Sequence, residues 1–334
     1  MRGGQRARHE LCWCGSGVPH RRCHGPFERP GPGAALNLAA HPFPWAVRPA
    51  VTSGPLPPPP GVPAPDYALS GVPRARHVGD VRSPDEIAAL RRACRHAADI
   101  LVYLAGLVAP GVTTDELDAA AYRECVRRGV YPSPLNYHGY PRSICTSVNE
   151  VICHGIPDSR PLAAGDTLNI DVTVYRDGVH GDCSAMVPVG GVNPVARRLV
   201  RGGLRCLQAG IAAVRPGAPF SEVGRAIQAV ADELGYAVVR QFVGHGIGPL
   251  FHTGLQVLHH FSPDQRRPMT PGMVFTVEPM IDAGTAHTLV LDDGWTAITA
   301  DRSRSVQFEH TVLVTETGVE VLTPNRLAPI RPAA

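Results

Sequence analysis

The dipeptide Asp177-Gly178 interrupts the alternating apolar pattern of residues 167–186, which predicts a β-hairpin closed by a two-residue turn. A turn of that length fixes the register of the two strands. Asp171 and Asp182 then become diagonal neighbours on one face, roughly 7–8 Å apart at the backbone. The hairpin therefore brings two carboxylates together inside an apolar sheet.

Two carboxylates in such a place repel each other and are costly to remove from water. A bound cation would stabilise them; the alternative is one buried arginine pair together with one carboxylate at a sheet edge. All 32 basic residues are arginine, and the sequence contains no lysine. This excludes lysine-dependent chemistry, such as a P-loop, a pyridoxal Schiff base or an aldolase-type amine.

Two further acids lie inside apolar, strand-like runs, Glu278 within residues 273–280 and Glu309 within residues 306–312. His245 stands in a glycine-rich segment whose backbone can approach another group closely. Four carboxylates and one imidazole form a mixed ligand set that suits a pair of divalent first-row ions. Two such ions, ~3.5–4 Å apart, can share carboxylates and a bridging water and generate hydroxide at neutral pH.

The 334 residues carry a net charge of +3 and are 44% apolar, which predicts a globular protein and gives no general case for nucleic-acid binding. Residues 1–30 are polar and rich in arginine, which argues against a secretory signal. The longest apolar stretch, 100–112, is far shorter than the ~20 residues of a membrane span. Nine cysteines without an export signal favour a reducing compartment, so we expect a cytoplasmic protein that does not contact the membrane.

Prolines divide the chain, since 14 of the 34 fall between residues 26 and 73. The run 55–60 is typical of polyproline II, and we predict a semi-rigid linker over residues 26–80. After the linker, a pair of helices precedes a block of strands twice. Four helices are predicted. The first begins at Ser83 and ends at Pro110-Gly111, and the others cover residues 114–129, 194–214 and 220–235. This order predicts an α+β fold built from two similar halves.

The five candidate ligands occur in an order and in local settings that resemble the type I methionine aminopeptidases. They are Asp171, Asp182, His245, Glu278 and Glu309. The resemblance runs from about residue 82 to residue 324, with similar motifs at 153–157, 166–171, 244–248, 277–280 and 307–311. It implies the pita-bread fold, in which two pseudo-symmetric α/β halves surround a central antiparallel sheet. The implied catalytic domain covers residues 81–325 and leaves a C-terminal tail at 326–334.

The resemblance also implies the chemistry of individual residues. The five ligands would hold two divalent ions (Co, Mn, Fe or Zn), and a hydroxide bridging them would attack the carbonyl after the N-terminal methionine. Glu278 would act as general base, His252 would hydrogen-bond the tetrahedral intermediate, and His154 would contact the substrate amide. The implied activity is removal of the initiator methionine from nascent polypeptides whose second residue is small.

The implied pocket for the methionine side chain is apolar, aromatic and thiol-bearing, which suits a thioether. It consists of Tyr137, Tyr140, Cys145, Phe251 and Trp295. Two features depart from the family pattern. Residues 253–255 replace acidic residues that many bacterial members carry, and Pro134 stands where a small residue or cysteine is common. Neither departure removes a ligand. We expect these departures to affect either the tolerance for the second substrate residue or the response to inhibitors.

The N-terminal segment resembles the small zinc-binding motif at the C-terminus of the SecA translocation ATPase. Three cysteines and one histidine within residues 1–25 would form a closed tetrahedral zinc site, namely Cys12, Cys14, Cys23 and His24. Six arginines against two glutamates give residues 1–30 a charge of about +4. Because the implied substrates are nascent chains, we hypothesise an RNA-rich partner, the ribosome near its exit tunnel.

Two other functions stay open at this point. Proline-specific aminopeptidases and prolidases share the five ligands, but there Pro-Gly usually follows the glutamate, whereas Pro279-Met280 follows it here. A non-catalytic pita-bread protein that binds the ribosome or another protein would be expected to lack ligands, and all five are present. The family precedent is a monomer.

Overall fold

The computed structural model describes residues 50–328. The predicted zinc motif at 1–25, the first part of the predicted linker (26–49) and residues 329–334 of the predicted tail lie outside the described residues. Within the described residues, no helix is both long enough and apolar enough to cross a membrane.

The first helix pair consists of α1 (Pro84–Ala105) and α2 (Thr114–Arg128). Both helices begin with a capping box. The hydroxyl of the N-cap residue accepts the backbone N–H of a glutamate three residues later, and the carboxylate of that glutamate accepts the backbone N–H of the N-cap residue. α1 ends at Ala105, before the proline at which the sequence predicted its end, because the chain already turns at Gly106. α2 ends at Gly129, whose φ of 63° is the left-handed conformation that closes a helix.

The predicted hairpin forms from β4 (Thr167–Arg176) and β5 (Val179–Pro188), and α1 packs across it. Asp177 and Gly178 both have positive φ, 51° and 83°, as a type I′ turn requires. Asp171 pairs with Ser184, and Thr173 pairs with Asp182. The predicted register is therefore confirmed residue by residue.

The second helix pair consists of α3 (Pro194–Ala212) and α4 (Ser221–Leu234), which pack against each other. α3 also contacts the strands β9, β10 and β13 (Val274–Val277, Met280–Asp282 and Ser305–Gln307). A helix pair followed by strands thus occurs twice, which confirms the α+β prediction of two similar halves.

One antiparallel sheet joins the two halves in the order β1-β4-β5-β14-β15, with β2 also paired to β4 and β9 to β14. Its remaining strands are β1 (Tyr131–Pro132), β2 (Cys145–Val148), β14 (Glu309–Val314) and β15 (Val319–Val321). Smaller sheets use β3 (Val151–Cys153), β6 (Ala237–Val238), β7 (Gly244–His245), β8 (Gln256–Val257), β11 (Thr288–Val290) and β12 (Ala297–Thr299). The strand β14 is the centre of the molecule, because it pairs with β5 from the first half and with β9 from the second.

Residues 50–80, which the sequence assigned to the linker, differ from a free connector. Tyr67 is buried, and its hydroxyl donates to the Ser133 carbonyl at 2.7 Å. The Ala68 carbonyl accepts from Asn136 at 3.0 Å, and the Gly54 carbonyl accepts from Arg142 at 2.8 Å. The physical reason is that apolar side chains of this segment complete a small core with the loop after β1.

Candidate active site

The five candidate metal ligands come from different elements and meet at the centre of the sheet. They are Asp171 on β4, Asp182 on β5, His245 on β7, Glu278 directly after β9 and Glu309 at the start of β14. All five line one cavity of about 410 Å³. The pairing of β14 with both β5 and β9 brings acids from distant parts of the sequence into this cavity.

The imidazole of His245 is oriented for coordination. Its Nε2 lies 3.7 Å from Asp182 Oδ2 and 3.6 Å from Glu278 Oε1. Its Nδ1 lies 3.3 Å from the Gly246 carbonyl, which can only accept, so Nδ1 carries the proton and Nε2 keeps its lone pair. Burial lowers the pKa of His245 to about 4 and favours the neutral ring, which is the form that binds a metal.

The charge balance of the cavity fits divalent cations. Ligand-type atoms of Asp182, His245 and Glu309 all lie within 4.8 Å of one another. Burial raises the pKa of all four carboxyl groups, and neighbouring carboxylates raise it further for Asp182, Glu278 and Glu309. Glu309 Oε1 is buried and has no hydrogen-bond partner among residues 50–328. Four acids and one neutral imidazole are a donor set that a pair of divalent first-row ions would satisfy.

The alternative of a buried arginine pair does not apply to this cavity. Across the described part of the chain, the partner within ion-pair distance of Asp182 and Glu278 is His245, and no arginine pairs with Asp171 or Glu309. Thr173, opposite Asp182 in the hairpin, donates to Asp182 Oδ1 at 2.6 Å instead. Hydroxyl groups thus hold Asp182 and Glu278, and no arginine compensates the charge of the four acids within residues 50–328.

Thr276 ties two candidate ligands to the sheet. Its hydroxyl accepts the backbone N–H of His245 at 2.9 Å and donates to Glu278 Oε1 at 2.6 Å. The glycines beside the histidine permit this close approach. A Cβ on Gly244 would lie 2.3 Å from the Thr276 carbonyl oxygen, and one on Gly246 would lie 2.1 Å from the Thr253 hydroxyl. The close approach predicted from the glycine-flanked histidine is thus observed.

Glu278 is fixed by two more side chains that the sequence analysis missed. Gln307 Nε2 donates to Glu278 Oε2 at 3.2 Å, and the Glu278 backbone N–H donates to His259 Nε2 at 3.1 Å. Gln307 precedes Glu309 within a motif already recognised, so its alternation with that acid could have indicated it. His259 carries no such signal, because its contact with Glu278 exists only after β8 and β9 pack.

The two histidines assigned to substrate contacts line the same cavity. His252 is exposed at its mouth, and its Nδ1 lies 3.0 Å from the Tyr137 hydroxyl. His154 has a left-handed backbone with φ of 57°, and its ring meets that of Trp295 edge-on at 6.2 Å. The structure therefore places both histidines beside the ligands.

The predicted methionine pocket lies in this cavity as well, and its five residues line the wall together with Pro134, Thr253 and Leu255. Tyr140 is buried, and its hydroxyl lies 3.1 Å from the Ile144 carbonyl and 3.0 Å from the Gly155 carbonyl. Its ring stands edge-on to Trp295 at 5.1 Å. The cavity thus combines an aromatic, thiol-bearing lining with the four acids, and Cys145 pairs directly with Asp171 across the strands.

Comparison with known proteins bears on the identity of this centre. The profile of metallopeptidase family M24 matches residues 88–316, and that of the SEC-C motif matches residues 8–26. Methionine aminopeptidase 2 of Mycobacterium tuberculosis is 49% identical over 280 residues, which are 83% of this chain and 98% of that protein. The chain belongs to the methionine aminopeptidases of family M24. It is accordingly a metallo-aminopeptidase, and the resemblance predicted from the sequence is confirmed.

Solved structures agree on the fold. The methionine aminopeptidase from Rickettsia prowazekii superposes with a TM-score of 0.72 at 43% identity, covering 73% of this chain and 98% of that one. This confirms the pita-bread architecture for the methionine aminopeptidase described here. The prolidase from Pyrococcus furiosus has a TM-score of 0.59 at 19% identity over 74% of this chain and 66% of that one, which shows a shared fold alone.

Proposed function

We propose that this methionine aminopeptidase removes the N-terminal methionine from nascent proteins and peptides whose second residue is small. The observation that carries the proposal is the single cavity in which five candidate metal ligands adjoin an aromatic, thiol-bearing pocket. The pocket suits an unbranched thioether side chain, and the acids suit divalent cations. Membership of the family and 49% identity to a methionine aminopeptidase support the same activity.

Asp171, Asp182, His245, Glu278 and Glu309 would hold two divalent cations. When bound, such a pair supplies Lewis acidity and lowers the pKa of a shared water molecule. Glu278 would accept the proton of the attacking water at Oε2. This oxygen accepts a hydrogen bond from Gln307 at 3.2 Å, which is longer than the 2.6 Å bond from Thr276 to Oε1. The water oxygen adds to the first carbonyl carbon, the peptide C–N bond breaks, and the proton passes to the leaving amine.

His252 would donate a hydrogen bond to the reacting carbonyl oxygen. Donation from the Tyr137 hydroxyl to Nδ1 of His252 would keep the proton on Nε2, so a neutral ring could act as donor. His154 would contact the substrate amide. The methionine side chain would lie among Tyr137, Tyr140, Cys145, Phe251 and Trp295.

The test uses the full-length protein loaded with each of Co, Mn, Fe and Zn. We expect release of methionine from Met-Ala-Ser and no cleavage of a Xaa-Pro peptide of equal length. The variants Glu278→Ala and Asp182→Ala should lose activity by at least about a hundredfold, because each removes a ligand or the base. Cleavage of the Xaa-Pro peptide alone would favour the prolidase alternative. Full activity in either variant would contradict the residue assignment.

We further propose a structural zinc ion at Cys12, Cys14, Cys23 and His24, and a ribosomal partner for this basic N-terminal segment. The SEC-C match over residues 8–26 and the excess of arginine support the proposal. Deleting residues 1–25, which leaves the docked segment after residue 50 intact, should remove one zinc per chain and weaken co-sedimentation with ribosomes in a salt-dependent way. Unchanged co-sedimentation across salt would contradict the ribosomal partner. We also propose a monomer, and size-exclusion chromatography of the full-length protein would check this oligomeric state.

A further inference from the structure

A second cleft, of about 700 Å³, opens beside the active-site cavity. Residues 64–67 and 73–76, which belong to the docked segment 50–80, form one wall of this cleft. We name the cleft the extension cleft. Tyr137, His138, Phe251 and His252 line both the cavity and the extension cleft. The two spaces therefore adjoin at these four side chains.

The wall contributed by the N-terminal segment is held in place. The Tyr67 ring stands edge-on to Tyr137 at 5.0 Å. Arg76 Nη2 donates to the Pro249 carbonyl at 2.7 Å, and Asp66 Oδ2 accepts the backbone N–H of Arg74 at 3.3 Å. Contacts to Tyr137 and Pro249 thus hold Tyr67 and Arg76 against the catalytic domain.

The extension cleft carries positive charge that the protein does not neutralise by ion pairing. Arg74 and Arg76 are exposed, and neither forms an ion pair with a carboxylate of residues 50–328. One acid also lines the cleft, Asp66, whose Oδ2 accepts the backbone N–H of Arg74, so the two guanidinium groups exceed the acidic charge of the lining by one. A ligand that offers carboxylates would therefore find two guanidinium groups beside the cavity mouth.

We propose that the extension cleft binds the substrate polypeptide beyond its second residue and favours acidic side chains there. This inference rests on the proposed function. Of the five residues assigned to the methionine side chain, Tyr140, Cys145 and Trp295 line the cavity alone and Tyr137 and Phe251 line both spaces, so most of the methionine pocket lies outside the cleft. His252, assigned to the reacting carbonyl, stands at the junction. The chain that follows the scissile bond would consequently leave the cavity toward Arg74 and Arg76.

A third cleft also adjoins the cavity and is a rival exit for the substrate chain. This cleft, of about 550 Å³, shares Gln241 with the cavity and carries the exposed Arg240. That cleft touches the cavity through one residue, whereas the extension cleft touches it through four. The extension cleft is therefore the better continuation, and Arg240 provides a matched control.

The experiment compares Met-Ala-Ser with two hexapeptides that extend it by three aspartates or by three arginines. It uses the metal-loaded, full-length protein, and it measures the ratio of kcat/KM between the acidic hexapeptide and the tripeptide. The double variant Arg74→Gln/Arg76→Gln should lower this ratio about fivefold at low salt, and the difference should shrink at high salt. Arg74→Gln alone should lower it in the same direction without removing the contact of Arg76 with Pro249. The control Arg95→Gln/Arg240→Gln removes the same charge at Arg240 and at Arg95, an exposed residue of α1 that lines neither space, and should leave the ratio unchanged.

Each result has a distinct meaning. The extension cleft is supported if the Arg74 and Arg76 variants lower the ratio for the acidic hexapeptide and do not lower kcat/KM of the arginine hexapeptide relative to the tripeptide. An unchanged ratio in these variants, or an equal fall in the control, would overturn it while methionine release from the tripeptide upholds the proposed function. Absence of methionine release from all three peptides would overturn the proposed function and this inference together.

Discussion

Thr276 shows how much a single hydroxyl does in this site. It accepts the N–H of His245 and donates to Glu278, so one side chain orients two candidate ligands on adjacent strands. Groups that hydrogen-bond metal ligands set their orientation and the affinity of the centre. Thr276 lies two residues before Glu278, so in a strand both side chains point to the same face of the sheet. This relation can be seen in the sequence.

Replacing Thr276 by valine keeps the shape of the side chain and removes both hydrogen bonds. We expect Thr276→Val to weaken metal affinity and kcat by about 10- to 100-fold, because Glu278 and His245 lose their common anchor. Isothermal titration of the chelator-treated protein with Mn²⁺ and assays at saturating metal would measure the two effects. A metal affinity equal to that of the parent protein would contradict this role.

The matched control is Thr299→Val. Thr299 is equally buried, and its hydroxyl donates to the Ser303 carbonyl at 2.7 Å, away from the cavity lining. This variant removes a comparable buried hydrogen bond, so it should lower the free energy of unfolding while leaving metal affinity unchanged. The comparison separates orientation of the ligands from general loss of stability.

Among the structural elements, the loop between β1 and β2 is held in place by residues 50–80. Asn136, His138 and Gly139 all have positive φ, at 60°, 47° and 82°, a backbone that non-glycine residues adopt at a cost. The same loop carries Tyr137 and Tyr140 of the methionine pocket. Tyr67 and Ala68 hold it through the Ser133 carbonyl and Asn136. The docked segment 50–80 therefore supports the loop that carries two residues of the methionine pocket.

Removing the Tyr67 ring should release this loop. We expect Tyr67→Ala to raise KM for Met-Ala-Ser and to speed amide hydrogen exchange in residues 133–140 by at least about tenfold, because buried contacts to Tyr137 are lost. Exchange in the β4–β5 hairpin should stay unchanged. Tyr67→Phe keeps the ring and loses the bond to Ser133, so its effect should be smaller. Tyr103→Ala, at an exposed site on α1, serves as control, and equal exchange in all variants would contradict the role of Tyr67 in holding this loop.

For the whole molecule, the cluster of four buried acids links stability to pH and to metal. Burial raises their pKa in the metal-free fold above the values of the unfolded chain. The folded state then binds more protons than the unfolded state. The stabilisation from these groups is complete below the unfolded pKa of about 4 and is lost as pH rises through the raised folded values.

Metal removal should make this dependence visible. Between about pH 6 and pH 9, urea denaturation should show a larger fall in the free energy of unfolding for the chelator-treated protein than for the loaded protein, since bound cations hold the acids ionised. Asp182→Asn removes one acid and should flatten the slope of the chelator-treated protein. Parallel pH profiles for the two forms would contradict the assignment of these acids as metal ligands.

Much of the fold and the site could be predicted because the signals are local. Asp177-Gly178 fixes a two-residue turn, and a two-residue turn fixes which residues face each other across the hairpin. Ser83 and Gly129 mark helix ends for equally local reasons. His259 and the docking of residues 50–80 could not be predicted, because each depends on contacts between segments far apart in the sequence.

The sequence by itself determined the five candidate metal ligands and excluded any role for lysine, because residue types and short-range spacing are properties of the chain. It also determined the pairing of Asp171 with its hairpin partner. Only the tertiary structure decided that β14 lies between β5 and β9, which brings Glu278 and Glu309 to the hairpin acids. It also decided that a proline-rich segment forms a wall of the active-site mouth. Both follow from burial of apolar surface, which acts between distant segments and leaves no local pattern.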